Sequence, residues 1–217
     1  MKATLTILLL LLQLTAAAQS AISYKGETIN ALDSNNNQTG VWKLYDDARE
    51  VMLVCEFRDG EYIGDTKFYK GSQLIASYDN SGRLEIYKGA KTIVAHFVKE
   101  EGKPKILADA SGKELDFKTV KYFYQAGRIK PQFYGGVGAL YAFTRANFNS
   151  NGQKGKVKVQ FYIDIKGFAT DIEVIESSNP ALNEEARRVI SILPRWQPGY
   201  QGGDFVKCIY QIPINIE

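Results

Sequence analysis

GKVKVQFYIDIKGFATDIEVIESSNPALNEEARRVISILPRWQPG, residues 155–199, is the stretch whose reading decides the fold. Val157, Val159, Phe161, Ile163 and Ile165 alternate with Lys156, Lys158, Gln160, Tyr162 and Asp164. Successive side chains of a strand point to opposite faces, so this segment is a half-buried strand. Lys166-Gly167 turns the chain, and Ala169 to Glu176 returns as the hairpin partner. Ser178-Asn179-Pro180 then opens a helix. Asn179 suits the N-cap and Pro180 the first helical position. Leu182, Ala186, Val189, Ile190 and Leu193 form one apolar stripe at helical spacing. Glu184 and Glu185 suit the positive end of the helix dipole, and Pro194 stops the helix.

Working outward, Leu140, Tyr141 and Phe143 predict a short helix at about 137–147. After Gly202-Gly203 a last strand follows, with Val206, Cys208, Tyr210, Ile212, Ile214 and Ile216 on one face. The order helix, strand, strand, helix, strand predicts a three-stranded antiparallel sheet with two helices on one face. That is an α+β unit over residues 131–217.

The preceding part differs. Residues 38–100 read as short antiparallel strands with almost no helix. Asp59-Gly60, Ser81-Gly82 and, more weakly, Lys88-Gly89 signal hairpins. Gly40-Val-Trp42-Lys-Leu-Tyr45 is echoed by Gly64-Asp-Thr-Lys-Phe-Tyr69. Such an echo fits a repeated strand–turn–strand unit burying its aromatic face on the next. It resembles the bacterial MORN-like repeat, Gly-x-Trp-x-x-Tyr followed by a strand and a turn, although the second copy lacks the Trp. That resemblance implies scaffolding or a docking surface. Residues 101–130 are a transition: Glu101-Gly102-Lys103-Pro104 and Asp109-Ala-Ser-Gly112 look like turns, and Leu115 to Tyr124 is compatible with a strand. The expected organisation is a signal segment at 1–18, a β-hairpin region and linker at 19–130, and the α+β unit at 131–217.

Lys2, the apolar run at 4–12 and Ala16-Ala17-Ala18 before Gln19 form a secretory signal with cleavage after Ala18. The competing reading is an uncleaved membrane anchor. The run is short for a span, which wants about 20 apolar residues. Cleavage would place the protein in an oxidising, extracytoplasmic space. Cys55 and Cys208 then either form a bridge or are two small hydrophobes.

The chain has 217 residues, of which 45% are hydrophobic and 24% charged, an ordinary globular composition. A net charge of +3 gives no reason to expect nucleic acid. One histidine and two cysteines exclude Cys/His zinc sites, and no cofactor is expected. Enzyme motifs such as a Gly-x-Ser-x-Gly elbow, a Walker loop or a Gly-x-Gly-x-x-Gly fingerprint do not occur, so no catalysis is expected. His96 sits in a strand-like run and reads as an ordinary strand residue. Glu184-Glu185 read as first-turn charges, Trp196 as a cover for the sheet end, and Lys156 and Lys158 as a solvated face.

The motifs of the C-terminal part occur together and in order. They are Pro131-Gln-Phe133-Tyr-Gly135-Gly136, Gly155 to Asp164, Gly167, Ser177-Ser178-Asn179-Pro180, Leu182-Asn-Glu184-Glu185-Ala186, Leu193-Pro194-Arg-Trp196-Gln-Pro198-Gly199 and Tyr210-Gln-Ile212-Pro213-Ile214. This string resembles the TonB C-terminal domain in the form found in many envelope proteins. The Tyr-Pro that usually follows the first helix is replaced by Asn147-Phe148-Asn149-Ser150-Asn151-Gly152. The resemblance implies membership of the envelope transport group and binding of a short peptide from an outer-membrane transporter. The physical basis is a sheet with open edges, which pair with extended peptides. Pro213 fits an edge strand. The candidate binding residues are therefore Phe205, Val206, Lys207, Cys208, Ile209, Tyr210 and Gln211, taken as part of one strand over 205–216. Two roles remain open: a periplasmic docking module, or an energy-transducing component of a TonB-dependent system held by an uncleaved anchor. The protein partner is an outer-membrane transporter or another envelope protein, and a homodimer is a further option.

Overall fold

The computed structural model describes residues 20–217 apart from 64, 80, 99–105, 110, 117, 119, 120 and 122–126. The signal at 1–18 and most of the strand considered at 115–124 lie outside the described residues.

Alternation of apolar and polar residues through the first half produces antiparallel strands joined by tight turns. They are β1 (Ser20–Tyr24), β2 (Glu27–Leu32), β3 (Gln38–Asp46), β4 (Val51–Arg58), β5 (Glu61–Tyr62), β6 (Thr66–Lys70), β7 (Gln73–Tyr78), β8 (Arg83–Lys88), β9 (Lys91–Val98) and β10 (Ile106–Ala108). They pair in chain order in one sheet, with β4 bonded to both the short β5 and the longer β6. The echoed aromatics fall in register: Tyr45 and Tyr69 both stand opposite Met52.

One loop design recurs. Asp33, Asp79, Asp109 and Asp164 each accept the backbone N–H groups of the residues two and four positions on. A short carboxylate can satisfy turn donors in this way, which is why Asp punctuates the chain there. The Asn37 N–H chiefly holds the Asp33 carboxyl below its ordinary value, and the Ser111 hydroxyl chiefly does so at Asp109. At Asp79 burial pushes upward, but the Ser81 hydroxyl and the Arg83 N–H outweigh it.

The second half is α+β, as the periodicity predicts. It runs α1 (Gly136–Asn147), β11 (Gly155–Ile163), β12 (Ala169–Ser177), a 3-10 turn at Pro180–Leu182, α2 (Asn183–Ser191), β13 (Gly199–Gln201), β14 (Asp204–Val206) and β15 (Cys208–Ile216). Asn179 accepts the Ala181 N–H with its side chain and so caps the 3-10 turn that leads into α2. The sheet order is β12-β11-β15, all antiparallel. Val157, Val159, Phe161 and Ile163 form its inner face and pack with Leu140 of α1 and Ala186 and Ile190 of α2. Trp196 closes the sheet end, its ring 5.3 Å from Phe133, 5.8 Å from Phe161 and 4.9 Å from Tyr210.

The single strand expected over 205–216 is corrected. Gly202 and Gly203, with φ of 61° and 86°, turn β13 back onto β14, and β15 starts only at Cys208. The ribbon exists because it delivers two rings to the other half of the molecule. Tyr200 and Phe205 pack with Trp42, Phe57 and Phe68 in the core of the large sheet, beside Ile129. An apolar ring gains about 1.5–3 kcal/mol from full burial.

Polar bonds complete the seam. Ile129 and Tyr200 exchange backbone hydrogen bonds of 2.8 and 2.9 Å, and Gln132 and Gln197 exchange two of 3.1 and 2.9 Å. The buried Gln197 side chain accepts the Tyr45 N–H and donates to the Tyr45 carbonyl at 2.7 Å. Arg195, also buried, donates to the Asn30 carbonyl and lies 5.6 Å from the Trp42 ring. Both cysteines are free, and burial pushes the Cys55 thiol up to about 12. The bridge considered between them is not formed.

A candidate docking edge

β15 alternates buried and exposed residues along its length. Ile212 and Ile214 are buried, Cys208, Tyr210 and Ile216 half-buried, and Ile209, Gln211, Pro213 and Asn215 exposed. Its ladder with β11 is unbroken from Gly155 opposite Ile216 to Ile163 opposite Cys208. On its other side no strand pairs with it among the described residues. A proline is accommodated in such a ladder where its nitrogen turns to the open side. Residues two apart in a strand direct their main-chain groups the same way, so Ile209, Gln211 and Asn215 present theirs outward with Pro213.

The structure divides the seven candidate residues. Phe205 and Val206 belong to β14 and are corrected: they are not on the open edge. The Phe205 ring lies 5.8 Å from Trp42, 5.3 Å from Phe57 and 5.4 Å from Tyr200, and Val206 pairs with Gly199. Lys207 links ribbon to strand. It pairs with Asp171, and its ammonium lies 4.7 Å from the Tyr162 ring centre. Cys208, Ile209, Tyr210 and Gln211 are on β15. Ile209 is 53% exposed on the face away from the helices, which makes it the natural place for substitution. Tyr210 turns inward to Trp196, and Gln211 donates to the Gln160 side chain at 2.8 Å across the ladder. Burial raises the Cys208 thiol, so it is no ready nucleophile.

Helix α1 flanks the open edge, a feature absent from the sequence reading. Tyr141, Thr144 and Arg145 of α1 and Ile214 and Ile216 of β15 line a hollow of about 660 Å³. A second hollow, about 360 Å³, lies between Val137 of α1, Tyr210 and the β3–β4 turn at Asp46 and Asp47. The signal was present: Val137, Tyr141 and Arg145 recur every fourth residue as an exposed stripe that borders the buried Leu140 and Thr144 on α1.

The segment that stands where Tyr-Pro is usual has its own tether. Glu185 accepts the Asn149 N–H at 2.6 Å and pairs with Arg188 at 2.7 Å, and Arg188 donates to the Asn147 carbonyl at 2.6 Å. Glu185 is thus more than a first-turn charge. The Arg188 guanidinium chiefly, with the Asn149 N–H, holds its carboxyl at about 2 against an ordinary 4.5. A folded-state value below the unfolded one means stability that is full above pH 4.5 and lost as pH falls through 2. Glu185→Gln is expected to lower the urea midpoint at neutral pH, with the difference from the parent fading between pH 4.5 and 2. An undiminished difference at pH 2 would show that the carboxylate charge is not what holds the loop.

Among the described residues no group of three His, Cys, Asp or Glu is placed to hold a metal ion, and no helix is long and apolar enough to cross a membrane. An α+β domain whose edge strand β15 is paired on one side only, beside a helix-walled groove, is the class defined here. Residues 145–216, about a third of the chain, match the family model described as Gram-negative bacterial TonB protein C-terminal. That match supports an envelope transport-related domain of the TonB C-terminal type over those residues. No curated protein and no solved structure matches the chain.

Proposed function

We propose that the protein is a periplasmic binding module that docks an outer-membrane transporter or another envelope protein by strand addition to β15. The observation that carries this reading is the unpaired side of β15 between Cys208 and Gln211, in a domain of the TonB C-terminal type. An extended segment laid there gains main-chain hydrogen bonds from groups that otherwise face water. Pro213 offers no N–H, so the most productive stretch of ladder is the half before it.

The test exploits the direction of the main chain. Ile209→Pro removes an outward donor and leaves the β11 ladder its bonds, whereas Ile209→Ala keeps the donor. Ile209→Pro is expected to weaken partner capture by at least one hydrogen bond, about 0.5–1.5 kcal/mol, plus strain. Ile209→Ala is expected to change it little. Crosslinking pull-down from intact envelope measures both, with circular dichroism to show that the Pro variant is folded. Equal capture by a folded Ile209→Pro variant and the parent would sink the edge as the docking site.

A further inference from the structure

The second hollow, of about 360 Å³, lies where the first turn of α1, the segment before it and the β3–β4 turn meet. Tyr45, Phe133, Val137, Trp196 and Tyr210 give it an apolar wall. Tyr210 is the one β15 residue in that wall, and its ring turns inward to Trp196, so the hollow takes nothing from the open edge. Several donors around it lack an acceptor. No side chain caps α1, and no acid stands in its first turn. The N–H groups of Val137 and Gly138 have no partner among the described residues, and the positive end of the helix dipole lies with them. Gly135 and Gly136, at φ 90° and 78°, bring bare backbone to this point. Lys130, which also lines the hollow, is exposed and its ammonium has no partner among the described residues. Trp196 is 1% exposed, and its indole N–H is unpartnered, whereas the Trp42 indole donates to the Ala31 carbonyl at 3.2 Å. A buried donor carries its full desolvation cost until an acceptor reaches it.

The acids beside the hollow are already committed. Asp46 pairs with Arg49 and Asp47 with Lys25, each at 2.6 Å. Asp47 also accepts from Tyr24 and Gln132, each at 3.1 Å. We propose that this hollow is a binding site for a small aromatic carboxylate, its ring against the aromatic wall and its carboxylate toward Lys130 and the first turn of α1. An uncapped helix N-terminus and one free lysine suit a single negative charge. A phosphate monoester, with nearly two charges, would meet more repulsion from the neighbouring aspartates. An apolar cavity with a few convergent polar groups is the usual form of a small-molecule site, and the volume falls within the usual range of about 300–1,000 Å³. The site goes beyond strand addition at β15 and does not depend on it. It needs both halves of the chain, because Tyr45 and the β3–β4 turn close one side of it.

The probe is 3-phenylpropionate, with 3-phenylpropylamine as its cationic counterpart. The two tryptophans of the full protein give two indole N–H signals in a nitrogen-correlated proton NMR spectrum. The carboxylate is expected to shift the Trp196 signal saturably, with half-saturation on the order of 1 mM for so small a ligand, and to leave that of Trp42 in place. The amine should move neither. Gly138→Asp sets a carboxylate on the first turn, where an added Cβ meets nothing within 4 Å, so it supports the helix and competes for the same N–H groups. It should weaken the probe about threefold or more while the urea midpoint holds or rises. Lys130→Ala should weaken it about two- to fivefold, the range for one exposed ion pair. No saturable shift at Trp196, an equal shift by the amine, or an affinity untouched by Gly138→Asp would each overturn the inference. Ile209→Pro keeps the two readings apart, because it should leave the probe's affinity unchanged whether or not it weakens partner capture. Loss of probe binding in a folded Ile209→Pro variant would put the probe on the edge strand and sink the hollow as its site.

Discussion

Gly167→Ala is expected to cost about 3 kcal/mol or more, the upper range of overpacking penalties with backbone strain added. Gly167 turns β11 into β12 at φ 94°, a region that L side chains rarely adopt. A Cβ there would overlap the carbonyl oxygen of Trp196, which is backbone and cannot swing aside, and would press on Arg195 Cγ. The Trp196 N–H also donates to the Gly167 carbonyl at 2.7 Å, so moving either strand of this contact breaks that bond. Trp196 carries the ring cluster at the sheet end, and Arg195 and Gln197 carry the seam to the large sheet. The urea midpoint followed by tryptophan fluorescence should fall sharply. Gly152→Ala is the control: its φ is 77°, but nothing lies within 4 Å of the added carbon. It should show only the cost of the left-handed backbone, about 1 kcal/mol. Equal losses for the two variants would mean that the Trp196 contact is not what demands glycine.

Tyr200→Ala is expected to destabilise by about 3–4 kcal/mol, and the loss should appear in the N-terminal sheet. Tyr200 lies inside the segment that matches the family model, yet it is 2% exposed in the core of the other half. Its ring lies 5.9 Å from Phe68 and 5.4 Å from Phe205, and its hydroxyl donates to Thr66 at 3.3 Å. Burial raises the Tyr200 phenol well above its ordinary value, so the proton stays on and this bond holds into alkaline pH. Alanine removes the ring from Phe68 and Phe205 and leaves the Thr66 hydroxyl without this donor. Hydrogen exchange read by mass spectrometry should show faster exchange in β4 and β6 together with β13 and β14. Loss of protection confined to the ribbon would mean that the two halves fold independently.

The two variants probe different kinds of information. The β11–β12 hairpin, the Asn179 cap and the apolar stripe of α2 were legible because each is set by neighbours within a few residues. Period 2, period 3.6 and a capping side chain are local physics, and the structure follows them closely. The same holds for the meander of β3 to β9, whose turns are marked by Asp and Gly. The open edge itself was legible in part. The alternation of Cys208 to Ile216 and the awkward Pro213 point to an edge strand, but they do not say where that strand begins.

Phe205 shows why. By pattern alone it continues the alternation of β15, one residue before Val206. Gly202-Gly203 is a local hairpin signal, but nothing local says that the ribbon it makes stands apart from β15. That outcome depends on an aromatic pocket of Trp42, Phe57 and Phe68, well over a hundred residues earlier in the chain. The groove beside β15 is of the same kind. Val137, Tyr141 and Arg145 are visible as an exposed stripe, but only packing places that stripe along the edge strand and brings Asp46 and Asp47 to its end. The sequence by itself determined the elements, their order and the α+β class, because these rest on short-range periodicity and capping. Tertiary structure alone decided that the two halves share a core, that β15 starts at Cys208, and that a groove runs beside it. These depend on contacts between residues far apart in the chain, whose burial no local pattern encodes.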